Sequence, residues 1–249
     1  MTDSEIRNAI RDVRQTLPGA LKADVQELIE REIWHVRLAF VPGGRIIDLG
    51  GGYSPVSAVL AKLGMAVTVV DTFASTKFYE QFSEAELREV LQTHGVTVVK
   101  QDLREYDPRA TMPLNSVDRV ISHGTLGFFN PRVLLERCLA VLKPGGMVVV
   151  DFENAVSLLR RARVVGGRTN VDAFPSYFFN GSHKRYWTAE ELPTLANHLG
   201  LSDVRILGRN WTVYQSRKKL PPAVLRVADR MLRTLPGLCN DLYLTGRKQ

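Results

Sequence analysis

The chain has 249 residues, of which 45% are hydrophobic and 24% are charged, and its formal net charge is +7. This composition predicts one α/β-sized domain or two small ones, and it excludes a disordered chain and a small disulfide-stapled scaffold. No uncharged apolar run approaches the roughly 18 to 20 residues that span a bilayer, and residues 1–14 lack the pattern of a signal peptide. Cys138 and Cys239 have no CxxC spacing, so neither a zinc site nor a disulfide framework is indicated. We therefore expect a cytoplasmic protein.

Residues 1–42 carry the periodicity of two amphipathic helices. One apolar stripe includes Ile6, Ile10 and Val13, and a second stripe follows the break at residues 17–19. We expect these helices to form a lid over a cleft of the following domain, or to supply the contact of a homodimer. The sequence leaves monomer and homodimer open.

Residues 43–249 change to short β-branched runs that alternate with helices. This alternation is typical of βαβ units, and it predicts a doubly wound, mostly parallel α/β sheet of seven strands. Residues 142–146 are expected to end a helix and turn into the buried run 147–150. Helix starts are marked by Ser54-Pro55, Ser83 with Glu86, Asn130-Pro131 and Thr188 with Glu191. The predicted strands are residues 45–49, 66–71, 96–101, 117–122, 147–152, 203–208 and 241–246.

The segment 45–55 combines a buried strand, three glycines and the start of a helix. Glycines let a ligand approach the backbone, and a helix N-terminus offers free N–H groups. Asp71 ends the next strand 71 − 48 = 23 positions after Asp48, about the spacing at which a carboxylate meets a ribose diol. Because a carboxylate at Asp48 would repel a pyrophosphate but suits a cation, the pattern favours S-adenosylmethionine, which has an amino group, a sulfonium and no phosphate.

In these residues the chain resembles the class I S-adenosylmethionine-dependent methyltransferases, over about residues 43–247. Residues 116–122 resemble the family's fourth-strand motif, and residues 142–146 resemble its LKPGG turn. Ser54 departs from the pattern, since many members have a third glycine there. The resemblance implies S-adenosylhomocysteine as the product and an antiparallel seventh strand at residues 240–247.

The resemblance also implies a set of cofactor-binding residues. Asp48 and the glycines surround the methionine part, Asp71 binds the ribose, and Asp102 is placed to accept from the adenine amine. The full set is Asp48, Gly50, Gly51, Gly52, Asp71, Thr72, Asp102, Leu103, Ser122 and His123.

His123, after the fourth predicted strand, lies where the family places the methyl acceptor. The Asn/Asp-Pro-Pro-aromatic motif that is typical of amino-group methylation of nucleobases is absent. Methylation of cytosine C5 needs a nucleophilic cysteine after this strand, but Cys138 falls inside a predicted helix. Imidazole titrates near neutral pH, so we predict that His123 is the catalytic general base for O-methylation of a hydroxyl. The alternative is a histidine that caps the strand or contacts the cofactor.

No metal site is predicted. As an alternative, the oxygens of Asp151, Glu153 and Asn154 at the end of the fifth strand could bind Mg²⁺. The metal-dependent catechol-type relatives, however, place an acid at the end of the fourth strand, where this chain has Ser122 and His123.

The acceptor is expected to lie among two variable segments, residues 72–82 and the long loop 165–187. Aromatic side chains mixed with polar ones suit a hydroxylated ring, so we expect a small-molecule acceptor: a sugar or saccharide, otherwise a polyketide, quinol or lipid-like alcohol. Any one of these aromatics could instead anchor a loop to the core. The substrate-binding candidates are Tyr79, Phe128, Tyr177, His183 and Tyr186.

Three alternatives concern partners and activity. The positive charge leaves RNA methylation as an alternative, although no RNA-binding module is visible. The inserted amphipathic helix at residues 221–235 is expected to pack on the sheet or to contact an anionic membrane surface, where it would serve a lipid or quinol acceptor. Some family members have lost catalysis, which leaves a non-catalytic cofactor-binding scaffold as the third alternative.

Overall fold

The computed structural model describes residues 1–17, 26–52, 55–74, 83–128, 130–167, 185–210 and 222–249. These residues form a seven-stranded sheet in the order β3-β2-β1-β4-β5-β7-β6. Strands β1 to β5 pair in parallel, whereas β7 is antiparallel to both β5 and β6, which confirms the fold class and the antiparallel last strand. The strands are β1 Arg45–Leu49, β2 Ala66–Asp71, β3 Thr97–Lys100, β4 Val117–Ser122, β5 Leu142–Glu153, β6 Leu201–Arg209 and β7 Asp241–Lys248.

Helices cover both faces of this sheet, and their starts follow the capping signals. Ser83 and Glu86 form a capping box, Asn130 caps the helix that begins at Pro131, and Thr188 and Glu191 exchange the two bonds of a capping box. The predicted cap Ser54 lies outside the described residues. The helices are α1 Asp3–Thr16, α2 Gln26–Ala39, α3 Val56–Lys62, α4 Glu84–Thr93, α5 Pro131–Val141, α6 Leu158–Val165, α7 Glu191–His198 and α8 Pro222–Leu232.

Side chains of neighbouring strand residues enter two separate hydrophobic clusters, because successive residues of a strand point to opposite faces. Ile46 and Val149 pack in the cluster of α1, α2, α3 and α4, and Ile47 and Val148 pack in the cluster of α5 and α7. A buried ion pair joins the two N-terminal helices, with 3.0 Å between Arg14 Nη2 and Glu32 Oε2. The helices that precede residue 43 therefore share a core with the sheet.

Strand β5 begins five residues earlier than predicted. Leu142 already pairs with Val117, and the next pair is Met147 with Arg119, so residues 143–146 bulge out of the ladder between them. Gly145 has φ +72°, a conformation that glycine adopts without strain. The proline and glycines thus form a bulge within a strand rather than a turn before it.

Helix α8 is shorter than the predicted helix 221–235, and a 3₁₀ turn, Pro236–Leu238, follows it before β7. Among the described residues, no helix is long and apolar enough to cross a membrane.

Candidate active site

The glycine loop between β1 and α3 packs tightly against the carboxylates that flank it. The Gly50 amide donates to the carbonyl oxygen of Val70 at 2.8 Å. A Cβ atom added to Gly51 would lie 2.1 Å from Asp48 Oδ2, and one added to Gly52 would lie 2.8 Å from Asp71 Oδ2. Both distances are far inside van der Waals contact, so only glycine fits at these two positions.

Asp48 is buried at the end of β1, with 2% of its surface exposed. Its Oδ2 accepts from the Ser57 hydroxyl at 2.6 Å, whereas Oδ1 has no hydrogen-bond partner. Burial raises the pKa of Asp48 to about 6, since a carboxylate without solvent loses its hydration. A buried carboxylate oxygen with an unused lone pair is ready to accept from a cationic group.

Asp71 lies at the end of β2, beside the glycine loop. Its Oδ2 accepts from the Gly52 amide at 3.0 Å and its Oδ1 from the Phe73 amide at 2.7 Å. Burial raises the pKa of Asp71, and these backbone bonds oppose that effect. Each carboxylate oxygen has further lone pairs, so the side chain can still accept from two hydroxyls. Thr72 is partly buried next to it, and its hydroxyl accepts from the Ala74 amide at 3.3 Å.

Asp102 and Leu103 follow β3, and both side chains interact with other residues of the protein. Asp102 forms an ion pair with Arg104, which lowers the pKa of the Asp102 carboxyl. Leu103 is 4% exposed and packs in the cluster of α5 and α7. Asp102 would have to share its oxygens with Arg104 in order to accept from an adenine amine.

Ser122 is the last residue of β4 and His123 follows it, and the two side chains have different surroundings. Ser122 is fully buried, and its hydroxyl donates to the carbonyl oxygen of Leu49 at 2.8 Å, which ties β4 to β1. The imidazole of His123 is 23% exposed, and its Nδ1 lies 2.6 Å from Oδ2 of Asp151, whose side chain is 3% exposed. Asp151 Oδ1 accepts from the Gly124 amide at 2.5 Å. His123 and Asp151 therefore form a dyad across the ends of β4 and β5.

This dyad fixes the tautomer of His123. A buried carboxylate at 2.6 Å from Nδ1 requires a proton on that nitrogen, so Nε2 carries the free lone pair of the neutral ring. In this arrangement the carboxylate orients the imidazole and stabilises the cation that forms when Nε2 takes up a proton. The arrangement is suited to general-base chemistry at the end of β4.

Two more rings pack against the dyad, and the sequence analysis did not assign them to the site. Tyr243 of β7 stacks on His123 with 6.4 Å between ring centroids, and His35 of α2 meets His123 edge to face at 5.1 Å. Trp34 in turn contacts Tyr243 at 4.5 Å. The sequence feature that could have indicated these contacts is the pair Trp34 and His35, two aromatic side chains with polar atoms inside the apolar stripe of α2.

The side chains considered as alternative metal ligands form other interactions within the protein. Asp151 belongs to the dyad, Glu153 forms an ion pair with Arg160 at 3.4 Å, and the amide of the fully buried Asn154 donates to three carbonyl oxygens of residues 236–239. Within the described ranges, no group of three or more His, Cys, Asp or Glu side chains could hold a metal ion.

The candidate acceptor residues are only partly described. Phe128, just after β4, is 42% exposed, and the ring of Tyr186 lies 3.8 Å below the guanidinium of Arg160. Tyr79, Tyr177 and His183 lie outside the described residues. Trp187, the last residue of the long loop, is buried against Phe152, so this aromatic anchors the loop to the core.

The residues at this edge of the sheet fit S-adenosylmethionine. Gly51 and Gly52 let the backbone lie directly against the Asp48 and Asp71 carboxylates, the unused Asp48 oxygen suits a cation, and Asp71 suits a diol. The buried Asp48 carboxylate and the partly buried Asp71 carboxylate would repel a pyrophosphate.

Comparisons with known proteins point to methyltransferases. Residues 47–150 match the family model described as a methyltransferase domain. The chain is 28% identical over 145 residues to "Ubiquinone biosynthesis O-methyltransferase" of Maricaulis maris, covering 57% of this chain and 52% of that protein. It is 34% identical over 139 residues to "Demethylmenaquinone methyltransferase" of Clavibacter sepedonicus, covering 52% of each. The chain thus spans about half the length of these curated relatives.

A solved structure, an S-adenosylmethionine-dependent methyltransferase from Mesorhizobium loti, shares the fold with a TM-score of 0.61 at 20% identity, covering 92% of this chain and 100% of that one. Residues 47–150 thus match a methyltransferase domain, and the described sheet has the fold of a solved S-adenosylmethionine-dependent methyltransferase.

Proposed function

We propose that this protein is a class I S-adenosylmethionine-dependent methyltransferase that methylates a hydroxyl oxygen of a small molecule, with His123 as the general base. The observation that carries the proposal is the His123–Asp151 dyad at the end of β4, with 2.6 Å between Nδ1 and the carboxylate. An alcohol or phenol is a weak nucleophile until it loses its proton, and a positioned base contributes typically about 10²- to 10⁴-fold to such a reaction.

The residues divide the work of the reaction. Asp151 holds the proton on Nδ1, so that Nε2 of His123 accepts the proton of the acceptor hydroxyl. Asp48 and Asp71 bind and orient the cofactor, and the glycine loop lets it approach the backbone. S-adenosylmethionine, when bound, supplies the methyl group as a sulfonium electrophile and leaves as S-adenosylhomocysteine. The dyad then returns the proton to solvent.

For the acceptor we propose a hydroxylated aromatic ring of the phenol or quinol type. The sugar or saccharide expected first from the composition of the loops finds no support in the comparisons. The names of two relatives refer to ubiquinone and demethylmenaquinone, and Phe128 presents an exposed ring close to the dyad in sequence. A flat aromatic acceptor can stack on such a ring.

The test is methyl transfer from labelled S-adenosylmethionine to a matched acceptor panel, with products read by mass spectrometry. A catechol and a hydroquinone should be methylated, and their fully O-methylated counterparts should not react. A monosaccharide and tRNA are the other arms, and methylation of either in preference to the phenols would contradict the proposal. If no arm reacts although S-adenosylhomocysteine binds, the non-catalytic scaffold becomes the better account.

We also propose that the enzyme contacts anionic membranes at the edge of the sheet where the site lies. Helix α6 follows β5, and α8 connects β6 to β7. Asp241, the first residue of β7, pairs with Glu153 at the end of β5 and with Arg209 at the end of β6. Both connections therefore lie at the carboxyl end of β5. Both helices expose apolar side chains there, namely Leu158, Val164, Val165, Val224, Val227 and Met231, at 47% to 89%.

The charges of these two helices complement an anionic lipid surface. Arg161, Arg163 and Arg230 are exposed, and basic residues beside an apolar helix face are typical of interfacial helices. Such a surface would bring the site to a lipophilic ring acceptor. Sedimentation with vesicles tests this: we expect binding to phosphatidylglycerol vesicles that decreases with salt and is absent with phosphatidylcholine alone. Equal binding to both vesicle types, or to neither, would contradict it.

A further inference from the structure

Helix α2 places a buried histidine directly against the catalytic dyad. His35 is 1% exposed, and its ring meets that of His123 with 5.1 Å between centroids and 84° between planes. The remaining buried side chains of α2 are mostly apolar and belong to the core, as Ile33 and Val36 do. Burial of a polar ring in such a stripe is unfavourable, and a leucine would fill the same space without that cost.

Three groups from three different elements enclose the imidazole of His123. The Asp151 carboxylate of β5 accepts a hydrogen bond from Nδ1–H, Tyr243 of β7 stacks at 6.4 Å with its hydroxyl 3.4 Å from Nδ1, and His35 meets the ring edge to face. His35 and Tyr243 also contact each other, with 5.8 Å between centroids. With these three contacts from the described residues, 23% of the His123 side chain is exposed.

A base on a rotatable side chain needs this kind of enclosure. The terminal torsion of histidine is broad and not held by a deep rotamer well, so Asp151 alone fixes one nitrogen but not the plane of the ring. The edge-to-face contact with His35 and the stacked contact with Tyr243 restrict the remaining rotation of the ring. Misplacement of a reacting group by about 1 Å costs on the order of 10²-fold in rate.

We propose that His35 is a positioning residue that fixes the imidazole plane of His123, so that helix α2 completes the active site. This inference rests on the proposed role of His123 as the base. The titratable groups that face His123 are Asp151 and, farther away, Asp48 on the sheet, His35 on α2 and Tyr243 on β7. His35 acts through ring contact and does not touch the acceptor.

The test uses three variants of the full chain. His35→Leu keeps the volume but removes the ring, His35→Phe restores a ring edge, and Val36→Ala is a matched core change on the next residue of α2. We expect His35→Leu to lower kcat by roughly 10- to 100-fold, with the KM for S-adenosylmethionine and the thermal stability nearly unchanged. His35→Phe should recover most of kcat, and Val36→Ala should lower stability with little effect on kcat.

A second readout does not depend on turnover. Nitrogen-15 spectra of the histidine rings report the tautomer of His123, and the signal is identified by its loss in His123→Gln. We expect the protonated Nδ1 signal in the wild type and in His35→Phe, and broadening or tautomer exchange in His35→Leu.

Two results would overturn the inference: a wild-type kcat and spectrum in His35→Leu, or a His35→Phe variant that folds but is as slow as His35→Leu. If His123→Gln itself retains full activity, the proposed base fails instead, and the His35 measurements identify which of the two is wrong.

Discussion

Replacement of Asp151 by asparagine tests the dyad with little change in shape. The carboxylate is 3% exposed, lies 2.6 Å from His123 Nδ1 and also accepts from the Gly124 amide at 2.5 Å. A hydrogen bond to a charged group contributes about 1.5–3 kcal/mol, which corresponds to about 10- to 150-fold in rate at 1.36 kcal/mol per decade. We therefore expect Asp151→Asn to lower kcat by about that factor.

The assay is steady-state methyl transfer to the best phenolic acceptor, with calorimetric titration of S-adenosylhomocysteine as the binding control. The affinity for S-adenosylhomocysteine should stay within about threefold, since Asp151 is assigned to the base and not to the cofactor. Glu153→Gln, two residues along the same strand, is the matched control and should keep near wild-type kcat. An Asp151→Asn enzyme with unchanged kcat, or one in which only cofactor affinity falls, would refute the role of the dyad.

Further predictions concern the cofactor carboxylates and the membrane-facing helix. Asp71→Ala should weaken S-adenosylhomocysteine binding by about 10-fold or more through lost hydrogen bonds to the ribose, whereas Asp107→Ala, a surface carboxylate paired with Arg109, should not; equal calorimetric affinities would contradict the ribose assignment. The raised pKa of Asp48, from 3.8 to about 6, corresponds to about 3 kcal/mol of destabilisation that is absent below about pH 4 and complete above about pH 6. Asp48→Asn should therefore raise the thermal unfolding temperature of the free protein at pH 7.5 but not at pH 4, and weaken S-adenosylmethionine binding; an equal gain at both pH values would disprove the burial argument. Met231→Glu should reduce sedimentation with phosphatidylglycerol vesicles several-fold, while Leu114→Glu, before β4 at the opposite edge, should leave it unchanged.

Much of the fold could be predicted from the sequence because local signals are strong where strands are buried. Strands β1, β2 and β4 have the bounds expected from their β-branched runs, and Ser83 and Asn130 cap the helices that they were expected to cap. The start of β5 was placed too late, because a proline and two glycines indicate a turn equally well when they form a bulge inside a strand.

The candidate site was only partly predictable for a different reason. Asp48 lies near the end of β1 just before the glycine loop, and Asp71 ends β2, so a local sequence pattern predicts both positions. The pairing of Asp151 with His123 depends on the register of β5 beside β4 and on side-chain direction, which no local pattern encodes. Asp151 was therefore considered only as an alternative metal ligand. His35 lies near the start of the chain and Tyr243 near its end. Their contacts with the dyad depend on how α2 packs on the sheet, which a local sequence pattern does not indicate.

The most direct test of the central claim compares wild type with His123→Gln in one set of measurements. Single-turnover methyl transfer to a hydroquinone, started with enzyme-bound labelled S-adenosylmethionine, follows the chemical step, and calorimetry with S-adenosylhomocysteine follows cofactor binding. The account predicts that His123→Gln binds S-adenosylhomocysteine with nearly wild-type affinity while its single-turnover rate falls by about 10²- to 10⁴-fold. A wild-type rate in His123→Gln would contradict the assignment of the base and, with it, the proposed O-methylation mechanism.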